Sequence, residues 1–374
     1  MAFIWRSIKI MHSKLKKPFI YVGGGAVSSD AVDELAEFAE LIDAPVSLTL
    51  MGQCAFDNTN PRYTGMLGMH GTKASSMALS ECDVMVVIGS RFSDRVTCST
   101  NSFNELMNGK KIVHFEIDPA EINKNVPVDC RVTGDIKIAL GQINKLLKKA
   151  DHSEWMKKIA DWKAAYPLHQ VSDNADDVLP QYVIETLNEI TDGKAIITTE
   201  VGQHQMWAAE YYNFKYPRTF ATSGGLGTMG YGLGAAIGSK VGNPDKTVVN
   251  IAGDGSFYMN MNELTTLAKY DLPVIELVFN NTVLGMVRQW QKLFYGKRFS
   301  QTNLEKQTDF ELLGQAVGIN AFTIRTKADV KPVLEKAIAL NGPVLINCLI
   351  DKDINVLPMV PAGASIAEPI LEIK

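Results

Sequence analysis

The chain has 374 residues, of which 46% are apolar and 21% charged, and a formal net charge of −4. It is long enough for two ordinary domains with their own cores, and its charge gives no general case for binding nucleic acid or an anionic membrane. Cys54, Cys82, Cys98, Cys130 and Cys348 are scattered without a CxxC pair, favouring reduced thiols, and no apolar run approaches the roughly 18 residues of a membrane span, so a soluble cytoplasmic protein is expected.

Residues 1–17 are basic and partly apolar, with Arg6, Lys9 and Lys14 interrupting the apolar residues. They make a poor signal peptide and are expected to form a lead-in helix. Pro18 to Val22 reads as a buried strand ending on Gly23-Gly24-Gly25. A helix follows from about Asp30 to Ile42, with Ser29 or Asp30 as its N-cap. Further strands are expected at Pro45–Leu50, Asp83–Ile88 and Lys111–Ile117, with a helix over Thr72–Glu81. Strands alternating with helices, with glycine at the strand ends, point to a parallel sheet. Gly23-Gly24-Gly25 is not a dinucleotide fingerprint, because Ser28 stands where the third glycine would be.

Residues 151–178 are polar and loosely patterned, with Trp155 and Trp162 on a short charged helix, and are expected to be an interdomain linker. The second unit then begins with a helix near Pro180–Ile190 and a strand Ala195–Thr199 that leads into Gly202-Gln203-His204. The glycine-rich run Ser223–Gly238 follows, and a strand Pro343–Leu349 comes near the end. The fold class expected is therefore α/β, with two parallel-sheet three-layer (αβα) domains over residues 18–150 and 179–374.

The stretch Val248–Gln291 carries the chemistry. An apolar run ends on Gly253-Asp254-Gly255, a helical segment covers about Met259–Tyr270, and a second apolar run, Val274–Phe279, ends on Asn280-Asn281. As strand, helix, strand this is a right-handed crossover with parallel strands. Asp254 and Asn281, 27 residues apart, then lie at the carboxyl edge of one sheet, where open α/β sheets bind ligands. A carboxylate and an amide oxygen beside glycines suit Mg²⁺ holding a phosphorylated cofactor; a plain strand-end turn is the competing reading. Gly202, Gln203 and His204 follow another strand end and could reach the same diphosphate. Met286, Val287 and Trp290 fall at helical spacing, so they either pack a core or wall a substrate pocket.

These motifs resemble the thiamine-diphosphate enzymes, whose metal and diphosphate motif begins GDG and closes with NN at this spacing. More narrowly, EVGQHQMWAAEYY, SGGLGTMGYGLGAAIG and GMVRQWQKLFYGKR are similar to the catalytic subunit of the acetohydroxyacid synthase (acetolactate synthase) family. LGMHGTKASSMALSECDVMVVIGSRFSDRV and HFEIDPAEINKN resemble its middle, FAD-binding, Rossmann-like domain. Gly234 and Ser93 depart from the proline and aspartate common there.

The resemblance implies Asp254, Asn281 and the Val283 carbonyl as Mg²⁺ ligands. It places Gly202, Gln203, His204, Gly253, Gly255 and Ser256 around the diphosphate of thiamine diphosphate. Gly227, Leu284, Gly285 and Met286 would line the rest of the cofactor. Met229 would prop its bent conformation, and Trp290 would shape the acceptor pocket, so Met229, Met286 and Trp290 are the residues implied at the catalytic centre. For FAD it implies Gly24, Gly25, Thr49, Leu50, Met51, Leu67, Gly68, His70, Gly89, Arg91, Arg95, Val96, Ile117 and Asp135.

The activity implied is decarboxylation of pyruvate and carboligation to a second pyruvate or 2-oxobutanoate, in branched-chain amino acid biosynthesis. Another thiamine enzyme, such as a pyruvate oxidase, glyoxylate carboligase or 2-oxoacid decarboxylase, is the alternative within the class. Family members also carry an N-terminal domain whose glutamate activates the cofactor, and the residues before Pro18 are too few to hold it. The resemblance thus implies middle and C-terminal domains, with that glutamate supplied by another chain, or a catalytically incomplete cofactor-binding fragment. Loss of such proton-relay catalysis is expected to cost on the order of 10²–10⁴ in rate. A homo-oligomer and a small regulatory subunit are the implied partners.

Overall fold

The computed structural model describes residues 16–172, 174–304 and 308–373, so the expected lead-in helix falls almost wholly outside the described residues. The chain divides into two units. One is Met1–Leu168 with Phe214–Pro217 and Leu357–Lys374, and the other is His169–Asn213 with Arg218–Val356.

The first unit runs β1 (Pro18–Val22), α1 (Gly24–Ser28), α2 (Val32–Leu41), β2 (Val46–Leu48), β3 (Tyr63–Met66), α3 (Lys73–Glu81), β4 (Val84–Ile88), α4 (Asp94–Thr97), α5 (Thr100–Leu106), β5 (Lys111–Glu116), β6 (Cys130–Thr133), α6 (Ile136–Asn144) and α7 (Ser153–Ala165). Its six strands are all parallel, in the order β3-β2-β1-β4-β5-β6. β1 and β4 are buried at every position, which explains their unbroken apolar sequences: helices cover both faces of the sheet. The chain winds outward from β1 to β3 and then returns to β4 on the other side of β1, so the carboxyl ends of β1 and β4 open a crevice.

Two expectations change here. The N-cap of α2 is Ala31, with no side-chain cap bond. Ser29 instead closes α1, its N–H donating to the Gly25 carbonyl and its hydroxyl to Asp135, and Asp30 takes a left-handed φ of 54°. The second concerns residues 151–178, which are not all linker. Trp155, Ile159 and Trp162 line one face of α7 and are buried in the first unit's core, and the Trp155 indole N–H donates to the Pro18 carbonyl at 2.9 Å.

The second unit runs α8 (Pro180–Thr191), β7 (Ile196–Thr199), α9 (Gln203–Tyr211), β8 (Phe220–Thr222), α10 (Gly232–Gly242), β9 (Val248–Gly253), α11 (Asp254–Phe257), α12 (Leu264–Tyr270), β10 (Val274–Asn280), α13 (Gly285–Phe294), α14 (Phe310–Val317), β11 (Asn320–Ile324), α15 (Lys327–Ala339) and β12 (Val344–Leu349). This sheet is also parallel, ordered β11-β12-β10-β9-β7-β8, so the chain reverses direction between β7 and β9. The helix expected over Met259–Tyr270 begins only at Leu264, and the unanticipated turn α11 follows β9 directly.

A polar seam runs through this sheet. Thr198 on β7 donates to Asn250 Oδ1 on β9 at 2.8 Å, and Asn250 Nδ2 lies 2.9 Å from both oxygens of Glu276 on β10. Glu276 is fully buried, and desolvation pushes its carboxyl pKa well above the usual range, with the neighbouring Glu200 charge adding to the rise. A carboxyl whose folded pKa is raised stabilises the fold below its unfolded pKa, and that contribution is lost as pH climbs toward the folded value. Glu276→Gln is therefore expected to raise Tm at pH 8 relative to wild type, and to do so less at pH 5. A gain of roughly 2–4 °C is the shift that about 1 kcal/mol produces in a domain of this size, readable by calorimetric melts across pH. In the first unit, Phe38 is fully buried and meets Phe115 edge-on at 6.3 Å. Phe38→Ala is expected to cost about 3–5 kcal/mol by denaturant unfolding.

Candidate functional site

The site in the second unit grows from three strand ends. β9 and β10 pair in parallel with Phe279 opposite Gly253, which sets Asp254 and Asn281 just past the paired ends of adjacent strands. β7, on the other side of β9, ends at Thr199 and leads through Glu200 to Gly202, the N-cap of α9. This is the reversal point of the sheet, where crossovers leave in opposite directions and strand-end loops part.

Asp254 is 3% exposed. Its Oδ1 accepts from Gly255 N at 2.8 Å and its Oδ2 from Thr282 N at 2.7 Å, so one carboxylate ties both loops together. Among the described residues no lysine or arginine pairs with it. Burial raises its pKa to about 6, opposed by those backbone donors. Asn281 is also buried, and its Oδ1 accepts from Val283 N at 3.2 Å, closing a tight turn in which Thr282 has φ 64°. A buried carboxylate short of positive charge, beside an amide oxygen and a backbone carbonyl at Val283, is a hard-oxygen donor set for a cation such as Mg²⁺.

The neighbouring glycines let other side chains pack directly on the backbone. A Cβ on Gly253 would lie 2.7 Å from His204 Nδ1, and one on Gly255 would lie 2.6 Å from Leu284 Cδ2. His204 is buried and neutral, its pKa lowered to about 3 by desolvation, with a bond to the Glu200 carbonyl opposing the shift. Its Nε2 has no partner, and neither has the buried Gln203 Oε1. Two buried polar atoms without partners at this strand-end turn mark a candidate place for a polar ligand. Ser256 Oγ bonds back to Gly253 O at 3.0 Å and steadies the turn.

The loop carrying Gly227 and Met229 is held by a residue that pattern-reading passed over. Glu200, fully buried, accepts from the N–H groups of Gly230 at 2.6 Å, Gly232 at 2.9 Å and Leu233 at 3.2 Å. One carboxylate thereby anchors the start of α10 and the loop before it, where Met229 is half-buried and Gly227 has φ 65°. Burial raises the Glu200 pKa, with those backbone donors opposing the rise. The available signal was its place at a strand end directly before Gly202-Gln203-His204, read there as sequence context only.

Met286, Val287 and Trp290 do not pack a core. Met286 and Trp290 are half-buried, Val287 is 49% exposed, and Trp290 meets Phe294 edge-on at 5.4 Å. The buried side chain of α13 is Gln289. Arg288 pairs with Asp353 at 3.0 Å and stacks over Phe299 at 3.9 Å.

In the first unit, the residues implied for a flavin gather on the carboxyl edge of that sheet. Gly24 and Gly25 follow β1; Thr49, Leu50 and Met51 follow β2; Leu67, Gly68 and His70 follow β3; Gly89 and Arg91 follow β4; Ile117 follows β5 and Asp135 follows β6. Arg95 and Val96 lie on α4, whose Arg95 carbonyl would be 2.6 Å from a Cβ on Gly68. At the β1/β4 crevice a Cβ on Gly25 would fall 2.8 Å from Gly89 Cα, so glycine there lets two backbones meet. Thr49 and Asp135 spend side-chain oxygens on helix caps, Thr49 toward Gly52 N and Asp135 toward Ile138 N. His70 is held neutral by burial and by Arg95, which lower its pKa to about 4, and its Nδ1 has no partner. Ile117 and Met51 stand 66% and 45% exposed at the mouth of that edge, apolar surface open to a flat ligand.

Residues 9–143 match the model of the thiamine pyrophosphate enzyme central domain, and residues 200–348 match that of the thiamine pyrophosphate enzyme C-terminal TPP binding domain. The chain is 42% identical over 365 residues to the acetolactate synthase large subunit of Cyanidium caldarium, covering 96% of this chain and 61% of that protein. It is 44% identical to the probable acetolactate synthase large subunit of Methanocaldococcus jannaschii, covering 95% of this chain and 61% of that one. It is 43% identical to the chloroplastic acetolactate synthase of Arabidopsis thaliana, covering 96% of this chain and 55% of that one. The chain thus spans between 55% and 61% of the length of these relatives. Its two matched regions follow in order the central and C-terminal domains, and the chain belongs to the thiamine pyrophosphate enzymes, as a homologue of acetolactate synthase large subunits.

Proposed function

We propose that the chain carries the cofactor-holding part of an acetolactate synthase. Pyruvate would be decarboxylated and its two-carbon unit joined to a second pyruvate or 2-oxobutanoate, in the synthesis of branched-chain amino acids. The observation that carries this is the pairing of buried Asp254 with Asn281 at the sheet's reversal point, beside the orphaned atoms of Gln203 and His204.

Asp254, Asn281 and the Val283 carbonyl would hold Mg²⁺, and the cation would answer the uncompensated charge of Asp254. Gly202, Gly253, Gly255 and Ser256 would surround the diphosphate. Gly227, Met229, Leu284, Gly285 and Met286 would shape the remainder of the cofactor pocket, with Glu200 fixing the loop that presents Met229. Bound there, thiamine diphosphate would supply the electron sink that accepts the electron pair left by decarboxylation. Trp290, half-buried against Phe294 on α13, would limit the acceptor 2-oxoacid by size. The glycine contact at Gly25 and Gly89 and the open apolar rim of Met51 and Ile117 support FAD on the first unit.

The relatives are named large subunits, which supports a smaller partner subunit, and a homo-oligomer is proposed alongside it. No disulfide joins the five cysteines, which supports a reducing compartment such as the cytoplasm. Among the described residues no helix is long and apolar enough to cross a membrane.

Three measurements bear on this reading. Incubation with pyruvate and 2-oxobutanoate is expected to yield 2-acetolactate and 2-aceto-2-hydroxybutanoate; acetaldehyde or acetyl phosphate as the main product would reject the assignment. Asp254→Ala is expected to abolish Mg²⁺-dependent binding of thiamine diphosphate in calorimetry, and unchanged affinity would refute the metal site. Glu200→Ala removes three charge-assisted bonds to the glycine loop. It is expected to weaken cofactor binding by roughly tenfold or more, measured the same way, since such bonds contribute about 1.5–3 kcal/mol each.

A further inference from the structure

One row of side chains across the second unit's sheet is polar where its surroundings are apolar. Parallel register sets Thr198 on β7 opposite Asn250 on β9, and Asn250 opposite Glu276 on β10. All three are fully buried. Val248, Ala252, Val274 and Val278, the next residues on the same face of β9 and β10, belong to an apolar core with Leu233 and Ala236 of α10. The row therefore lies on the face that α10 covers. An apolar row would fold there at lower cost, because a buried carboxyl gives up its hydration for whatever partners it finds.

Among the described residues Glu276 has one side-chain partner, Asn250, whose Nδ2 lies 2.9 Å from both carboxyl oxygens. With both amide protons drawn to β10, Asn250 Oδ1 faces the other way and accepts from the Thr198 hydroxyl at 2.8 Å. Gly232, the first residue of α10, rests on that oxygen: a Cβ on it would stand 2.4 Å from Asn250 Oδ1. Its carbonyl lies 3.2 Å from the Thr198 hydroxyl, and its N–H donates to Glu200 at 2.9 Å. The N–H, Cα and carbonyl of one glycine are thus each met by a buried polar side chain. Directly before it runs the loop with Gly227, Met229 and Gly230. Turning the Asn250 amide end for end would put NH₂ against Gly232 in place of oxygen, and Glu276 is the group that prevents this.

We propose that Glu276 is a positioning residue for cofactor binding: by orienting Asn250 it seats Gly232, and with Gly232 the loop that presents Met229, without touching a ligand itself. This rests on the cofactor reading above.

The test sets cofactor affinity against stability. Thiamine diphosphate is titrated calorimetrically at saturating Mg²⁺ into wild type, Glu276→Gln, Glu276→Leu, and Glu276→Leu combined with Asn250→Val, with a thermal melt of each. Glu276→Gln keeps an oxygen for the Asn250 NH₂ and is expected to bind within about threefold of wild type. Glu276→Leu orphans that NH₂, so it is expected to lower Tm and to weaken binding on the order of tenfold, the scale of about one hydrogen bond. Adding Asn250→Val makes the row apolar, so Tm should recover while affinity stays about tenfold down, because Gly232 has lost its seat. Recovery of affinity together with Tm would overturn the inference, since the row would then serve the fold alone. Glu276→Gln binding as weakly as Glu276→Leu would overturn it as well. Thr198→Val, equal in shape but without the hydroxyl, decides the matter if the leucine variants do not fold. It is expected to weaken binding on the order of fivefold, and unchanged affinity would overturn the inference. Failure of the wild type to bind thiamine diphosphate at saturating Mg²⁺ would reject the cofactor reading itself, a distinct result.

Discussion

The second unit's edge depends on keeping the Asp254 carboxylate buried between two strand-end loops. Burying an ionised carboxylate without a paired charge costs several kcal/mol, which is why its pKa climbs. Two backbone N–H groups, from Gly255 and Thr282, hold its oxygens but bring no net positive charge. The fold tolerates this only because β9 and β10 are locked in a long parallel ladder, from Val274 opposite Val248 to Phe279 opposite Gly253. A slip of one residue would exchange the two faces of β10, both buried, and carry Glu276 away from Asn250, so the register that positions Asn281 is enforced by the core around the strand. A site of this kind stores an unfavourable charge that a bound cation would relieve.

The rest of the edge is organised by carboxylates and amides acting on backbone. Glu200 gathers three N–H groups of the glycine-rich loop, and Gly232 must lack a side chain because a Cβ there would sit 2.4 Å from Asn250 Oδ1. Glu200, just past the end of β7, Asn250 on β9 and Glu276 on β10 thereby form a polar layer under the loop. Buried polar groups of this sort specify one arrangement of the loop where apolar packing would permit several. α13 is held by the same device, since Gln289 and not an apolar residue fastens it.

Much of this was legible in the sequence. Unbroken apolar runs ending in glycine located the central strands, and the spacing of GDG from NN located the cation candidates, because parallel crossovers have few lengths available. Other features were not legible, for identifiable reasons. Trp155, Ile159 and Trp162 form a helical stripe, yet the charged residues around them made the segment read as a linker. The apolar spacing of Met286, Val287 and Trp290 suggested a core face or a pocket wall, and the buried position falls on the glutamine between them. Glu200 and Glu276 look like solvated carboxylates to any composition rule; only the strand order brings them together inside the sheet. Amide polarity, as at Gln289, depends on a backbone group some 67 residues away in the chain.

The most direct test of the central claim is to locate the cation itself. Crystals grown with thiamine diphosphate and Mn²⁺ in place of Mg²⁺ would show the ion by its anomalous signal. The result expected is one ion bonded to Asp254 and Asn281 side-chain oxygens and to the Val283 carbonyl. An ion held elsewhere, or cofactor bound with Asp254 and Asn281 free of any cation, would contradict it.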